Sequence, residues 1–236
     1  PADALTTLEQ ATADTETTAL TVESLVLRAR LLEQLKRLSE SNRIWKNVVQ
    51  LENSLSMFAR LSIVKNLVNS ARAEEAEAYL KNTIGISTDQ RILNLLLDIG
   101  DAYYRAGDFP RTISIYSEVL RKQNRGRQAD RARLGLSFTY ESQNELEHSM
   151  RMFHNTFLQH TVPETFTTAW ESERRLTTKL GVPPPNISED HLLSLTRKLR
   201  SASHYHDALA VTRRWRNDYP STKRRDLIET ETIITL

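Results

Sequence analysis

The sequence predicts an all-α fold, an α/α superhelical solenoid of about five stacked helical hairpins plus one extra helix. Three observations carry this expectation. Only 6 Gly and 7 Pro interrupt 236 residues, and apolar residues recur at helical spacing along most of the chain. The stretch LLLDIGDAYYRAGDFPRTISIYSEVL, residues 95–120, reads as two helices meeting at Gly107-Asp108. That layout recurs before and after it, as it must if a hairpin that buries only one side of itself is to find neighbours.

The elements follow in chain order. Residues 6–11 read as half a hairpin, and 20–52, containing LVLRARLLEQLKRLSESNRIWKNVVQLEN, form the first full one in its loosest version. In the hairpin near 55–88, Val64 and Leu67 sit on the first helix and Ala76 and Leu80 on the second. The hairpin at 91–124 is the clearest. Leu96, Ile99, Gly100 and Tyr103 share one face of its first helix, and Gly107 ends that helix because a residue without a side chain takes the left-handed cap cheaply. Asp108 caps the second helix by accepting from free amide hydrogens, and Pro110 is tolerated in a first turn whose amides lack intrahelical partners. Ile113, Tyr116, Val119 and Leu120 then face back to the first helix.

The hairpin at 128–160 repeats the plan with Leu136, Tyr140, Ser149, Phe153 and Thr156, and Asn144 stands in for glycine at the turn. Residues at the centres of the second helices, Ile44, Ala76, Thr112, Ser149 and Ala208, are separated by 32, 36, 37 and 59 positions. The first three separations lie around the roughly 34-residue period of a helix-turn-helix repeat. The last is too long by one helix, which 164–180, within PETFTTAWESERRLTTKLG, supplies.

Residues 181–189 form a Pro-rich break, because Pro183-Pro184-Pro185 cannot continue a helix and stiffens the connection. In 190–236 a further hairpin carries Leu192, Leu195 and Leu199, then Tyr205, Ala208, Thr212 and Trp215, and stops at Tyr219-Pro220. The segment 223–236 begins another, and because DLIETETIITL stops inside a helical pattern without a capping residue, the native chain is expected to run on.

The 32 basic and 30 acidic residues are interleaved, which is not the electrostatic footprint of a nucleic-acid or membrane-surface binder. The densest basic run, Arg121, Lys122, Arg125, Arg127, Arg131 and Arg133 against Asp130, reads as a solvated turn between repeats. The absence of Cys excludes disulfides and thiolate metal sites. No apolar run approaches the roughly 20 residues of a membrane-spanning helix, and PADALTTLEQ lacks the basic and apolar regions of a signal peptide.

Reaction chemistry is not expected. The six histidines, His148, His154, His160, His191, His204 and His206, read as solvated turn or surface residues, not as a convergent metal set. There is no strained nucleophile turn and no Gly-rich phosphate loop, so neither a cofactor nor a catalytic residue is proposed. Trp45, Tyr103, Tyr116, Phe153 and Trp215 fall on packing faces, Trp170, near the extra helix, is less predictable and is left open between packing and reaching a partner, and Glu171-Ser172 reads as a helix surface pair.

Leu96, Ile99, Gly100, Tyr103, Thr112, Tyr116 and Val119 match the packing positions of the tetratricopeptide repeat family, and GDAYYRAGDFPRTISIY is similar to its central consensus. The resemblance covers about four fifths of the chain through recurrence of the hairpin layout. No other repeat has Gly at both places that Gly100 and Gly107 occupy, and the clamp lysines and arginines of the chaperone-binding subfamily do not recur in register. ERRLTTKLGVPPP, followed by LLSLTRKLRSASHYHDALAVTRRWRNDYPST, resembles the superhelical region of soluble lytic murein transglycosylases and related bacterial envelope repeat proteins. The catalytic Glu-Ser motif of those enzymes has no match here.

These resemblances imply a superhelix whose first helices line a groove for a protein or peptide partner in the periplasm or elsewhere in the cell envelope, while the absence of Cys leaves a cytoplasmic setting open as well. The groove-facing positions would be Lys65, Asn69, Asn94, Asp101, Tyr104, Arg105, Glu141, Arg197 and Arg200. The competing expectation is a non-catalytic arm that positions peptidoglycan for a catalytic domain elsewhere. A third is self-association through exposed end helices.

Overall fold

The computed structural model describes residues 1–13, 22–159 and 163–236, and all regular structure among them is helical. Contacts divide the chain into two compact units, Pro1–Ile115 and Tyr116–Leu236. The first holds α1 (Ala2–Ala13), α2 (Val22–Gln34), α3 (Leu38–Gln50), α4 (Ser56–Asn69), α5 (Ala73–Tyr79), α6 (Gln90–Arg105) and the start of α7 (Phe109–Lys122). A π-helical turn, Leu80–Ile84, prolongs α5. The second unit holds the rest of α7, α8 (Arg127–Ser142), α9 (Leu146–Gln159), α10 (Pro163–Leu180), α11 (Glu189–Ser201), α12 (Tyr205–Asp218) and α13 (Arg225–Thr235).

Packing within each unit is between near neighbours in sequence. In the first, α3 packs on α2 and α4, while α4, α5 and α6 pack on one another. In the second, α8, α9 and α10 form one such trio and α11, α12 and α13 another. Residues 20, 21 and His160, at the edges of the hairpins expected at 20–52 and 128–160, lie outside the described residues.

The turns repeat one geometry. Lys36, Ala71, Gly107, Asn144 and Ser203 all have left-handed backbone, with φ between 58° and 76°. In each turn the next amide donates to the carbonyl five residues earlier: Arg37 to Leu32, Arg72 to Leu67, Asp108 to Tyr103, Glu145 to Tyr140 and His204 to Leu199, at 2.9–3.0 Å. This pair of features is a Schellman cap, which satisfies carbonyls that a helix end leaves without partners. The five turns stand at separations of 35, 36, 37 and 59 residues.

Side chains follow the same register. Seven residues before each turn stand Ala29, Val64, Gly100, Ser137 and Thr196; five after it stand Ser41, Ala76, Thr112, Ser149 and Ala208; all ten are buried. Small side chains at both places let the two helices approach closely. In two hairpins a hydroxyl ties them together, Ser41 Oγ donating to the Ala29 carbonyl at 3.0 Å and Ser149 Oγ to that of Ser137 at 2.8 Å. Nine residues after the turn, Trp45, Leu80, Tyr116, Phe153 and Thr212 are buried as well. The turn register therefore assigns Ser41, not Ile44, to the centre of the first hairpin; Ile44 is buried, but one helical turn further on.

The left-handed residues give a direct test. A Cβ on Gly107 would meet nothing within 4 Å, so Gly107→Ala should cost only the left-handed strain, about 1 kcal/mol. Ala71→Gly should relieve the same strain and gain roughly 0.5–1 kcal/mol once the extra chain entropy of glycine is subtracted. Denaturant melts of both variants check the paired signs.

The N-terminus of α6 is capped by Asp89, whose side chain accepts from the Arg91 amide at 2.8 Å. Hydrogen bonds from the Arg91 side chain and then its amide hold this carboxyl at about 2, below its usual 3.8. A depressed folded-state pKa contributes stability that is full above the unfolded value and lost as pH falls through the folded one. Asp89→Ala should therefore lower the melting temperature at pH 7, and its difference from wild type should shrink between about pH 4 and pH 2.

The extra helix, α10, ends in the same way. Gly181 has φ 65° and the Val182 amide donates to the Thr177 carbonyl at 3.2 Å. No second helix follows. The Pro-rich residues form no regular structure, and Ile187 is buried in the core of this unit with Leu192, Leu195, Leu199 and Trp215. Earlier in the unit, Gly135 on α8 faces Tyr116, and a Cβ there would lie 2.5 Å from the ring, so only glycine permits that approach. The aromatics expected on packing faces, Trp45, Tyr103, Tyr116, Phe153 and Trp215, are all buried. Trp170 is buried too, stacked on Phe166 and edge-on to Phe157, so it belongs to the core of its unit and meets the outside only where it lines a cleft between α10 and α12.

Candidate functional site

Within the first unit, α4 and α6 lie side by side and each buries a wide apolar stripe. What remains outside is a polar face. Lys65 and Asn69 on α4 are exposed, as are Asn94 and Arg105 on α6, while Asp101 and Tyr104 are partly buried. The spacings 65–69 and 94–101–105 keep each set on one side of its helix. Tyr104 leans on Phe109 with ring centroids 6.0 Å apart, and the Arg105 Nε donates to the Asp101 carbonyl at 3.2 Å.

This face runs into a cleft of about 670 Å³ between the Ala71 and Gly107 turns, lined in part by Asn69, Arg72, Glu74, Tyr103, Arg105 and Arg111. Its floor is tied across the two hairpins. Tyr103 donates to Glu77 at 2.7 Å, Arg111 donates to Glu74 at 3.0 Å, and the Arg111 guanidinium lies 5.3 Å over the Tyr103 ring. Burial, and then the hydrogen bond to the Glu77 carboxylate, push the Tyr103 hydroxyl up to about 12, so it remains a donor at any physiological pH. Burial alone would raise Glu77, but hydrogen bonds from Lys81 and Tyr103 outweigh it and leave the carboxylate below its ordinary range.

The other three groove candidates lie in the second unit and are engaged within it. Glu141 accepts a bidentate pair of hydrogen bonds from Arg175 at 2.5 and 2.8 Å, and this keeps its carboxyl below the ordinary range. Arg197 and Arg200 both close on the buried carboxylate of Glu231 in α13, at 2.7 and 2.5 Å. These side chains bind helix to helix. Ile233 and Ile234 in the last turn of α13 are exposed, as is Leu236 just past it.

A buried ionic cluster escaped the sequence reading. Glu173, fully enclosed, accepts from Arg214 Nη1 at 3.3 and 3.4 Å and lies 3.2 Å from His154 Nδ1. Arg214 also donates through Nη2 to the Pro185 carbonyl at 2.7 Å and through Nε to Asp218 at 3.2 Å, and lies 5.0 Å over the Trp170 ring. His154 is thus buried, contrary to the surface reading, because it supplies a polar partner to a carboxylate that water cannot reach. Ser172 is buried as well, so only Glu171 of the expected surface pair lies outside.

In the basic run, Asp130 is buried and paired with Arg133 at 3.0 Å, and Arg133 also donates to the Asn124 carbonyl. No group of three or more His, Asp or Glu that could hold a metal ion occurs among the described residues. None of the described helices is long and apolar enough to cross a membrane. No protein-family model matches the sequence, and no curated protein matches it significantly.

Proposed function

We propose that this chain is a non-catalytic protein–protein interaction scaffold of the tetratricopeptide type, working in the bacterial cell envelope. The observation that carries the reading is the recurrence of one turn, with one register of small and large buried residues around it, in five helical hairpins, the first four of them consecutive. A hairpin repeated in this way is the unit of an α/α solenoid, and its neighbours supply the apolar surface that it cannot bury alone. The face of α4 and α6 is then the partner surface, with Asn69, Asn94, Tyr104 and Arg105 offered from helices already ordered, so that little conformational entropy is lost on the scaffold side.

A pull-down from bacterial envelope extract tests this, comparing wild type with a Tyr104→Ala, Arg105→Ala double variant. A discrete protein band retained by wild type and lost by the variant is the expected outcome. Tyr and Arg concentrate binding energy at interfaces, so the pair should weaken capture at least ten-fold, or about 1.4 kcal/mol.

A second reading is a superhelical arm that positions peptidoglycan for a catalytic domain elsewhere. It draws support from the way Tyr219, at the Tyr-Pro-Ser step, donates to the Ile187 carbonyl at 2.9 Å and so ties the Pro-rich break to the end of α12. Co-sedimentation with purified sacculi, without capture of a protein, would favour that arm.

A further inference from the structure

The helix α10 ends in the same turn as the first helix of a hairpin, yet an irregular Pro-rich stretch follows in place of a second helix. Beside that stretch, between α10 and α12, lies a cleft of about 380 Å³, within the size range of small-ligand sites. Its walls are rich in donors. Arg174, Thr177 and Thr178 come from α10 and Arg213, Arg214 and Asn217 from α12; Trp170, Pro184 and Ala210 add apolar surface, and Asp218 is the one acid of the lining among the described residues.

The donors differ in what they already hold. Arg214 is occupied by Glu173, Asp218 and the Pro185 carbonyl, which fixes it in place. The guanidinium groups of Arg174 and Arg213 have no hydrogen-bond or ion-pair partner among the described residues, although both line the cleft. The indole also lacks a partner: Trp170 is 4% exposed, and its Nε1 is closed off from solvent without an acceptor.

The other two indoles show what such a donor takes in this protein. Trp45 Nε1 donates to Glu33 at 2.7 Å and Trp215 Nε1 to Glu189 at 2.8 Å. Each is satisfied by a carboxylate. A buried donor left unpaired costs roughly 1–3 kcal/mol, and because Asp218 and Glu173 are taken by Arg214, the exposed guanidinium groups of Arg174 and Arg213 can take a carboxylate in planar, bidentate geometry.

We infer that the α10–α12 cleft is a binding site for a carboxylate, gripped by Arg174 and Arg213 against the Trp170 wall. Arg214, already neutralised by Glu173 and Asp218, fixes the floor, so the charge that meets the ligand comes from Arg174 and Arg213. This site belongs to the second unit and its proposal does not depend on what the α4–α6 face binds.

The test is a titration of the full chain followed by proton–nitrogen NMR of the three indole N–H signals, assigned through Trp170→Phe. The probes are succinate, its neutral dimethyl ester, inorganic phosphate and an acetylated Ala-Glu-Ala amide, at constant ionic strength. Succinate should move the Trp170 signal saturably, with half-saturation below about 10 mM, while the Trp45 and Trp215 signals stay in place. The ester should do nothing, and phosphate should bind at least ten-fold more weakly. Arg174→Ala with Arg213→Ala should abolish the shift without changing the thermal melt, and Arg213→Lys, which keeps the charge but not the planar fork, should retain weaker binding.

Tighter binding of the peptide than of succinate would support the same seat and assign its carboxylate to a polypeptide. The inference is overturned if no probe moves the Trp170 signal saturably, if ester and succinate act alike, or if the double arginine variant still responds.

Discussion

Arg214→Ala should destabilise the protein by about 3–5 kcal/mol, the largest effect expected of any single charge in the chain. The reason is what it leaves behind. Glu173 is fully enclosed and its other neighbour is His154 at 3.2 Å, so removing the guanidinium strands a carboxylate away from water. The Pro185 carbonyl and Asp218 lose their partner in the same step. At the size of this chain the loss corresponds to a fall in melting temperature of roughly 6–20 °C. Removing both charges is a different experiment. In Glu173→Gln with Arg214→Met, the amide can still bond His154 and the thioether fills the guanidinium's place, so the double variant should be more stable than Arg214→Ala alone. If the two variants melt together, the cost is one of packing and not of a stranded charge.

Trp45→Ala should cost about 3–5 kcal/mol through a different mechanism. Trp45 is fully buried, meets Phe58 edge-on with centroids 5.4 Å apart and donates to Glu33. Glu33 also accepts from Asn66 at 3.1 Å, and Asn66 donates to Asn42 at 3.0 Å, so the indole belongs to a polar cluster linking α2, α3 and α4. Trp45→Phe keeps most of the ring volume and loses the N–H, and should cost about 1 kcal/mol beyond the small packing change. Chemical denaturation of the two variants separates cavity from hydrogen bond. Equal losses would mean that the bond to Glu33, and not the volume, carries the contribution of this residue.

Helix type and hairpin order were legible because they rest on local chemistry. Gly107 and Asn144 are residues that tolerate left-handed backbone, and both take it. Lys36, Ala71 and Ser203 take it as well, although nothing in their own preference announces it. There the turn is imposed by the apolar stripes on either side, which must face one another. The same weakness explains the slip at Ile44. Two buried residues three apart on one helix look alike in periodicity, and only the turn geometry selects Ser41.

The polar interior was not legible. His154, Glu173 and Arg214 lie on three helices and are 19 and 41 residues apart, so no spacing rule brings them together. Seen singly on α10, Glu173 and Arg174 are indistinguishable in type from surface charges, yet one is fully enclosed and the other exposed. The groove candidates divide for a related reason. Lys65, Asn69, Asn94 and Arg105 are exposed on adjoining helices, whereas Glu141, Arg197 and Arg200 found acids or bases on the next helix but one in chain order, 31 to 34 residues away.

The scaffold account stands most directly on whether a partner rests on α4 and α6. Benzoylphenylalanine placed singly at Asn69, Asn94 and Arg105, with a control at the exposed Arg216 of α12, and irradiated in envelope extract, reads this out as covalent adducts. The account predicts one discrete adduct, of the same mass, from the three positions on the face and none from the control. Adducts that are absent at all three, or that form equally at Arg216, would contradict it.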